Sequence, residues 1–481
     1  MPDPVISALS GQIAAARSAS IVAAAGCGKT EEIVKAIGCV EGRRLVLTHT
    51  HAGVDALRRR LRERKIPSTR YSVDTIAGWC LRFAASYPRR SGLAVIEPRT
   101  DADWSAVYCA ALQLLAGGAI ERVLRASYAG LYVDEYQDCS EAQHKIIALI
   151  ADTLPTCVFG DPLQAIFDFK DQSPVDWQTS VFSKFPKLAE LKIAHRWHRH
   201  DNAPLATWLE TIRPTFEAGG SVALDKGPAC VEWTWLPDRP GPRQNAIISA
   251  CRAAMRKDGP LVVIADAANE GARAAIAKSL GKNKFSTIEP IDCGALAIAA
   301  HRMKANDGNQ RLTATLDLIE KSMTGASRSE FAKAVVARAS GRRVGEARFG
   351  TLLDHALDLS RTASDAACLA LIEGFADLPT THIFRRQMLA TFRSALKMVL
   401  ADKVISLEEA LFRVQNQSRH TGRRISHYSV GSTLLVKGLE FANVVIVHSP
   451  NMGRKDWYVA LTRATHHISI LAPQRKLTVT L

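Results

Sequence analysis

The residues of this chain whose types and spacing could do chemistry fall in two places. The first is the run Ala23-Ala24-Ala25-Gly26-Cys27-Gly28-Lys29-Thr30. It has the spacing of a phosphate-binding loop, G-x-x-x-x-G-K-T, with Ala at the first position. The apolar run Ser20–Ala25 reads as a buried strand, and Thr30–Ile37 has helical spacing. That strand–turn–helix context is the one the loop requires. Backbone N–H groups of Gly26 to Thr30, with Ala25 at the loop entrance, can then cradle phosphates at a helix N-terminus. Lys29 supplies charge to the β- and γ-phosphates, and Thr30 can ligate Mg²⁺. The second place is Asp134-Glu135-Tyr136-Gln137-Asp138, after the strand-like run GLYVD. Asp134 is placed to hold Mg²⁺ through water, and Glu135 to polarise an attacking water as general base. ATP and Mg²⁺ are therefore the expected ligands. Gln12, upstream of the loop, could hydrogen-bond an adenine edge or be an exposed residue at a helix start.

The elements that must position these groups are legible as alternating short apolar runs and amphipathic segments. Arg44–Thr48, Gly130–Asp134 and Thr156–Gly160 read as further strands, and Ala52–Leu61 as a helix with a basic outer face. Strands alternating with helices indicate a parallel α/β sheet. Residues 83–127 look mostly helical and interrupt that sheet. A second α/β pattern follows, with strands at Cys230–Leu236, Leu261–Ala265, Val444–His448 and Ile468–Leu471. Residues 301–424, rich in Ala, Leu, Arg and Ser, read as an all-helical insertion into it. The expected organisation is α/β with two parallel-sheet domains, each carrying a mainly helical insertion. The first takes residues 1–82 and 128–183 with insertion 83–127. The second takes 184–300 and 425–481 with insertion 301–424.

Composition narrows the partners. The 481 residues carry 62 Lys and Arg against 47 Asp and Glu, a net charge of +15, which suits a polyanionic partner better than an anionic membrane. No apolar run approaches the roughly 18 residues of a transmembrane helix. The N-terminus lacks the basic start and apolar core of a signal peptide. A cytoplasmic protein is the expectation. The 10 cysteines are scattered with no C-x-x-C pair, so zinc-ribbon and thioredoxin chemistry have no support.

Further motifs, in order, carry a resemblance. Gly160-Asp161-Pro162-Leu163-Gln164-Ala165-Ile166-Phe167, Leu191–Arg196 (LKIAHR), Lys437-Gly438-Leu439-Glu440-Phe441 and Tyr458-Val459-Ala460-Leu461-Thr462-Arg463-Ala464 join the loop and the acidic pair. Together they resemble the superfamily 1 DNA helicases of the UvrD/Rep/PcrA type, whose two domains are RecA-like. The resemblance implies that Gln164 senses the γ-phosphate and that Glu440 contacts the nucleotide ribose. It implies that Arg196 and Arg463 act as arginine fingers from the second sheet, across a cleft that closes on ATP. It also implies that Phe167 and Phe169 stack on bases of single-stranded DNA. Thr48 and Thr50 (LTHTH), and Thr75 (TIAG), would contact the DNA backbone. Arg58, Arg59 and Arg60 could add phosphate contacts or form a solvated helix face. The implied activity is ATP-dependent 3′→5′ translocation on single-stranded or partially duplex DNA.

The chain departs from the family pattern at Ala77, Leu434, His195 and Lys170, where His, His, Tyr and Arg are usual. These changes put DNA gripping in question more than ATP chemistry. The compact form also resembles the helicase subunit of anti-phage systems such as Gabija. The alternative function is thus a nucleotide-gated, DNA-sensing ATPase partnered by a separate nuclease.

Overall fold

The first group of apolar runs, joined by two more polar edge strands, forms one six-stranded parallel sheet. Its strands are β1 (Ser18–Ala23), β2 (Arg44–Thr48), β3 (Tyr71–Thr75), β4 (Gly130–Val133), β5 (Thr156–Gly160) and β6 (Lys187–Leu191), in the spatial order β3-β2-β4-β5-β1-β6. This is a computed structural model, and it describes residues 8–167, 174–281, 285–290, 293–304, 307–342, 349–402, 404–421 and 425–480.

The central strands are buried along their whole length because helices cover both faces, as parallel sheets require. Successive side chains alternate between two cores. Ile21, Val46, Tyr132 and Phe159 enter one, under α1 (Ala8–Ala15), α2 (Lys29–Gly38) and α3 (His51–Glu63). Val22, Leu47, Val133 and Val158 enter the other, with Trp79 of α4 (Ile76–Ser86) and Leu114 of the helix Asp101–Ala116. Each helix offers a stripe at the helical period: Ile33, Val34 and Ile37 from α2, and Val54, Leu57 and Leu61 from α3. The helical segment between β3 and β4 begins at Ile76, directly after the strand.

The chain packs as two units. The first is Met1–Val222 with Gly453–Thr465 and Thr478–Leu481, and the second is Ala223–Met452 with His466–Leu477. The first unit thus runs to Val222, beyond the expected limit at 183, because β6 pairs with β1 and the chain after it stays with that sheet.

The second six-stranded sheet has the order Ser286–Thr287, Tyr428–Gly431, Leu261–Ile264, Phe441–Val447, Ala464–Ala472, Val231–Trp235. Its helical segment, from Gly294 to Thr421, closes around its own core, where Phe331 and Phe375 meet edge to face at 4.8 Å. Arg385, at the head of the helix Arg386–Ala401, forms ion pairs with Glu270 and Glu289 and fastens that segment to the sheet part of the unit. Among the described residues no single helix is long and apolar enough to cross a membrane.

Candidate active site

β1 delivers the chain into the loop. Ala23, where the motif usually has Gly, is the last strand residue and is fully buried. It has no positive φ, so a methyl group is tolerated there. Gly26 and Gly28 carry the left-handed turn, with φ of +72° and +86°. A Cβ on Gly26 would lie 2.8 Å from Cβ of Arg196 and 3.1 Å from the Trp197 ring. The loop is also tied to that segment by Arg196 N–H donating to Gly26 O at 3.2 Å. Gly26→Ala therefore meets both backbone strain, about 1–3 kcal/mol, and a collision. The expected result is a lower melting temperature together with weakened ATP binding in a nucleotide titration. Unchanged binding would show that the loop does not need this turn.

Lys29 opens α2 and is nearly buried. Its Nζ lies 3.9 Å from Glu135 Oε2. Thr30 Oγ1 donates to Asp134 Oδ2 at 3.1 Å. Asp134 follows β4, and its N–H is held by Leu47 O at 2.8 Å. Burial, and then the neighbouring Glu135 carboxylate, push Asp134 up to about 6. A buried carboxylate beside a hydroxyl, both hard oxygen donors, is a donor set that suits Mg²⁺. Burial pushes the Cys27 thiol up to about 11, so it stays protonated at neutral pH.

Glu135 sits in the left-handed region at φ +55°, rare for a non-glycine residue. Its Oε2 accepts from Gln137 Nε2 at 2.6 Å, and Gln137 Oε1 accepts from Asp161 N–H at 3.0 Å. Gly160 makes room for this link, since a Cβ there would lie 2.8 Å from Gln137 Oε1 and 2.6 Å from the Trp177 ring.

Asp161 is completely buried and receives three side-chain donors. Gln164 Nε2 donates to Oδ2 at 2.8 Å, and Arg213 donates to Oδ1 at 2.9 Å and to Oδ2 at 3.2 Å. Gln164 Oε1 in turn accepts from Arg463 Nη2 at 3.2 Å. Arg463 is also held by Val459 O and Thr462 Oγ1. Arg196 Nη1 donates to Thr462 O at 2.7 Å. Arg213 also donates to Tyr458 Oη, which accepts from Ala25 N–H at 3.4 Å. Burial alone would weaken the Arg213 charge, but Asp161, Tyr458 and Glu217 together outweigh it and hold the guanidinium above its usual value.

Ala25, Gly26, Cys27, Gly28, Lys29, Thr30, Asp134, Glu135, Gln164, Arg196 and Arg463 thus come together within the first unit. The two arginines belong to that unit and not, as the sequence led us to expect, to the second. The reason is local packing. Arg196 follows β6 at the edge of the first sheet, and the helix Arg454–Leu461 packs on the turn Pro162–Gln164 and the helix Ala203–Ala218. Other expected residues lie elsewhere. Gln12 is exposed on α1, and Glu440 is exposed just before the strand Phe441–Val447 of the second unit. His195 lies against Gly28. Thr50 and Thr75 cap α3 and α4, accepting from Gly53 N–H at 3.1 Å and Gly78 N–H at 2.9 Å. Thr48 is buried at the end of β2, and Phe167 is half-buried. Phe169 falls outside the described residues.

Sequence reasoning assigned no role to Gln137, Asp161, Tyr458 or Arg213. The first three lie inside motifs that were read. Arg213 lies mid-helix, with nothing around it to mark it.

Residues 94–176 match the model of the UvrD/REP helicase N-terminal domain. This stretch is similar to that family. The matched stretch contains Asp134, Glu135, Gln137, Asp161 and Gln164, while the phosphate loop, Arg196, Arg213 and Arg463 lie outside it. No protein of curated function matches the chain. The chain is similar to arterivirus nonstructural protein 10, a helicase solved with DNA, at 11% identity and a TM-score of 0.36, covering 96% of this chain and 63% of that one. It is similar to the PRRSV helicase at 11% identity and a TM-score of 0.34, covering 97% of this chain and 54% of that one. The chain thus spans less than two thirds of either structure's length. The likeness is distant, and the functional reading rests on the chain's own residues.

Proposed function

We propose that this chain is an ATP-dependent DNA translocase of the UvrD-like helicase type, moving 3′→5′ on single-stranded DNA. The observation that carries the reading is the junction of Lys29, Thr30, Asp134, Glu135, Gln164 and Arg463 around one phosphate loop. Each residue type has a task in phosphoryl transfer to water. Lys29 and the loop N–H groups hold the triphosphate. Thr30 and Asp134 would hold Mg²⁺, which when bound neutralises phosphate charge. Glu135 takes the proton of the attacking water, and Gln164 touches the γ-phosphate. Arg463, with Arg196 beside it, meets the negative charge that grows in the transition state. Glu440 and Gln12 are proposed contacts to the ribose and the adenine.

Single-stranded DNA is the proposed partner, with Phe167 and Phe169 stacking on bases and Thr48, Thr50 and Thr75 near the backbone. The basic face of α3, where Arg58, Arg59 and Arg62 are exposed, adds charge. Phosphate contacts release counterions, so affinity should fall steeply with salt, whereas stacking should not. Phe167→Ala is expected to weaken oligonucleotide binding by about 1–3 kcal/mol at every salt concentration, with the slope of log affinity against log salt unchanged. A changed slope with equal affinity at high salt would remove Phe167 from the bases.

The function itself is tested by strand displacement on duplexes with a 3′ or a 5′ single-stranded tail. The proposal expects ATP-dependent displacement from the 3′-tailed substrate. Displacement from the 5′-tailed substrate alone would reverse the polarity, and none from either would refute unwinding.

A further inference from the structure

We infer that Arg213 is a positioning residue of the hydrolytic site, acting through Asp161 to set the side-chain amide of Gln164. The inference rests on the hydrolytic reading above. Arg213 comes from the helix Ala203–Ala218 and touches none of the groups expected to meet ATP directly, apart from its link through Tyr458 to the loop. What it does touch decides the geometry next door. Its fork takes both oxygens of Asp161, a carboxylate with no exposed surface, while its own side chain is 11% exposed. Paired, planar donors of this kind fix a carboxylate in rotation as well as in place.

Among the described residues the carboxylate so fixed has one further side-chain partner, the Gln164 amide. An amide is asymmetric, with a donor end and an acceptor end. Because Asp161 only accepts, it draws Nε2 toward itself and turns Oε1 toward Arg463, which only donates. Flipped by half a turn, Gln164 would face oxygen to oxygen and nitrogen to guanidinium, and both contacts would fail. Asp161 also anchors the other branch, since its N–H holds Gln137 and Gln137 holds Glu135. A single buried ion pair therefore sits where the general base, the γ-phosphate sensor and the arginine finger join. Removing Arg213 leaves a buried carboxylate without its counter-charge, and Asp161 must then move, take a proton or admit water. Each outcome releases Gln164 from its orientation.

A double-mutant cycle on turnover tests this. Arg213→Met and Gln164→Ala are made singly and together, and kcat is measured per nucleotide-binding site, with ATP affinity from a separate titration. Arg213→Met is expected to lower kcat by about 10–100-fold, the range found for outer partners that orient metal ligands, with ATP affinity unchanged. In the Gln164→Ala background the same change should cost much less, because the residue the carboxylate acts through is gone and the Gln137 branch is held by the Asp161 backbone N–H. Arg213→Lys, which keeps charge but loses the fork, should fall between wild type and Met, and it replaces Met in the cycle should Met not fold. Losses that multiply across the cycle would overturn the inference. So would an Arg213→Met or Lys protein that melts earlier but turns over normally per site, which is a purely structural role. Wild type that turns over ATP while Arg213→Met matches it sinks this inference alone. Wild type without turnover sinks the hydrolytic reading as well.

Discussion

Glu135→Gln should stop ATP turnover while leaving ATP bound. Glutamine keeps the size of the side chain and an oxygen for the Gln137 contact, which lies at 2.6 Å in the native protein. It loses the basic carboxylate. Removal of a general base costs on the order of 10²–10⁴ in rate, so kcat should fall by that factor. Lys29→Ala should remove turnover by a different route. Its ammonium is nearly buried beside Glu135, and nothing else in the loop carries a side-chain charge. ATP affinity should fall together with rate. The two variants are separated by measuring nucleotide binding and single-turnover hydrolysis side by side. Near-native turnover in either one would undo the assignment of the site.

Arg463→Ala should lower kcat by about 10³–10⁵, the range for arginine fingers, with a much smaller change in ATP affinity. Arg463 is 1% exposed and its guanidinium is held by Val459 O, Gln164 Oε1 and Thr462 Oγ1, so it is oriented before any nucleotide arrives. A preset charge that meets its target mainly in the transition state appears in kcat and not in binding. Arg196→Ala should lower kcat less, because Arg196 Nη1 is engaged with Thr462 O. Equal losses of affinity and rate at Arg463 would make it a ground-state ligand.

The central strands, and the loop and acidic pair at their ends, were legible because both depend on local pattern. β1, β2, β4 and β5 are short apolar runs covered on both faces, and the loop and acidic pair follow directly from two of them. The edge strands were not legible. β3 (YSVDT) and β6 (KLAEL) are polar and half-exposed, since each pairs on one side only, and neither forms a continuous apolar run. The same gap misplaced the arginines. Once β6 is seen to add to the first sheet beside β1, Arg196 necessarily follows it there. Motif order alone cannot show that Gly453–Thr465 packs with residues some 250 positions earlier. Arg213 had no sequence signal because its meaning lies in a long-range ion pair, Asp161 being 52 residues away. Thr50 and Thr75 show the reverse case. Their hydroxyls suggest DNA contacts in the sequence, whereas in the structure each is the N-cap that starts its helix, so alanine there would disturb the fold whatever DNA binding requires.

If the proposed function holds, the phosphate loop and its partners hydrolyse ATP in response to single-stranded DNA. Steady-state phosphate release, measured across a titration of single-stranded oligonucleotide for wild type and Glu135→Gln, tests it most directly. The expected result is saturable stimulation in wild type and none in the variant at equal ATP occupancy. Turnover that ignores DNA, or that survives the loss of Glu135, would contradict it.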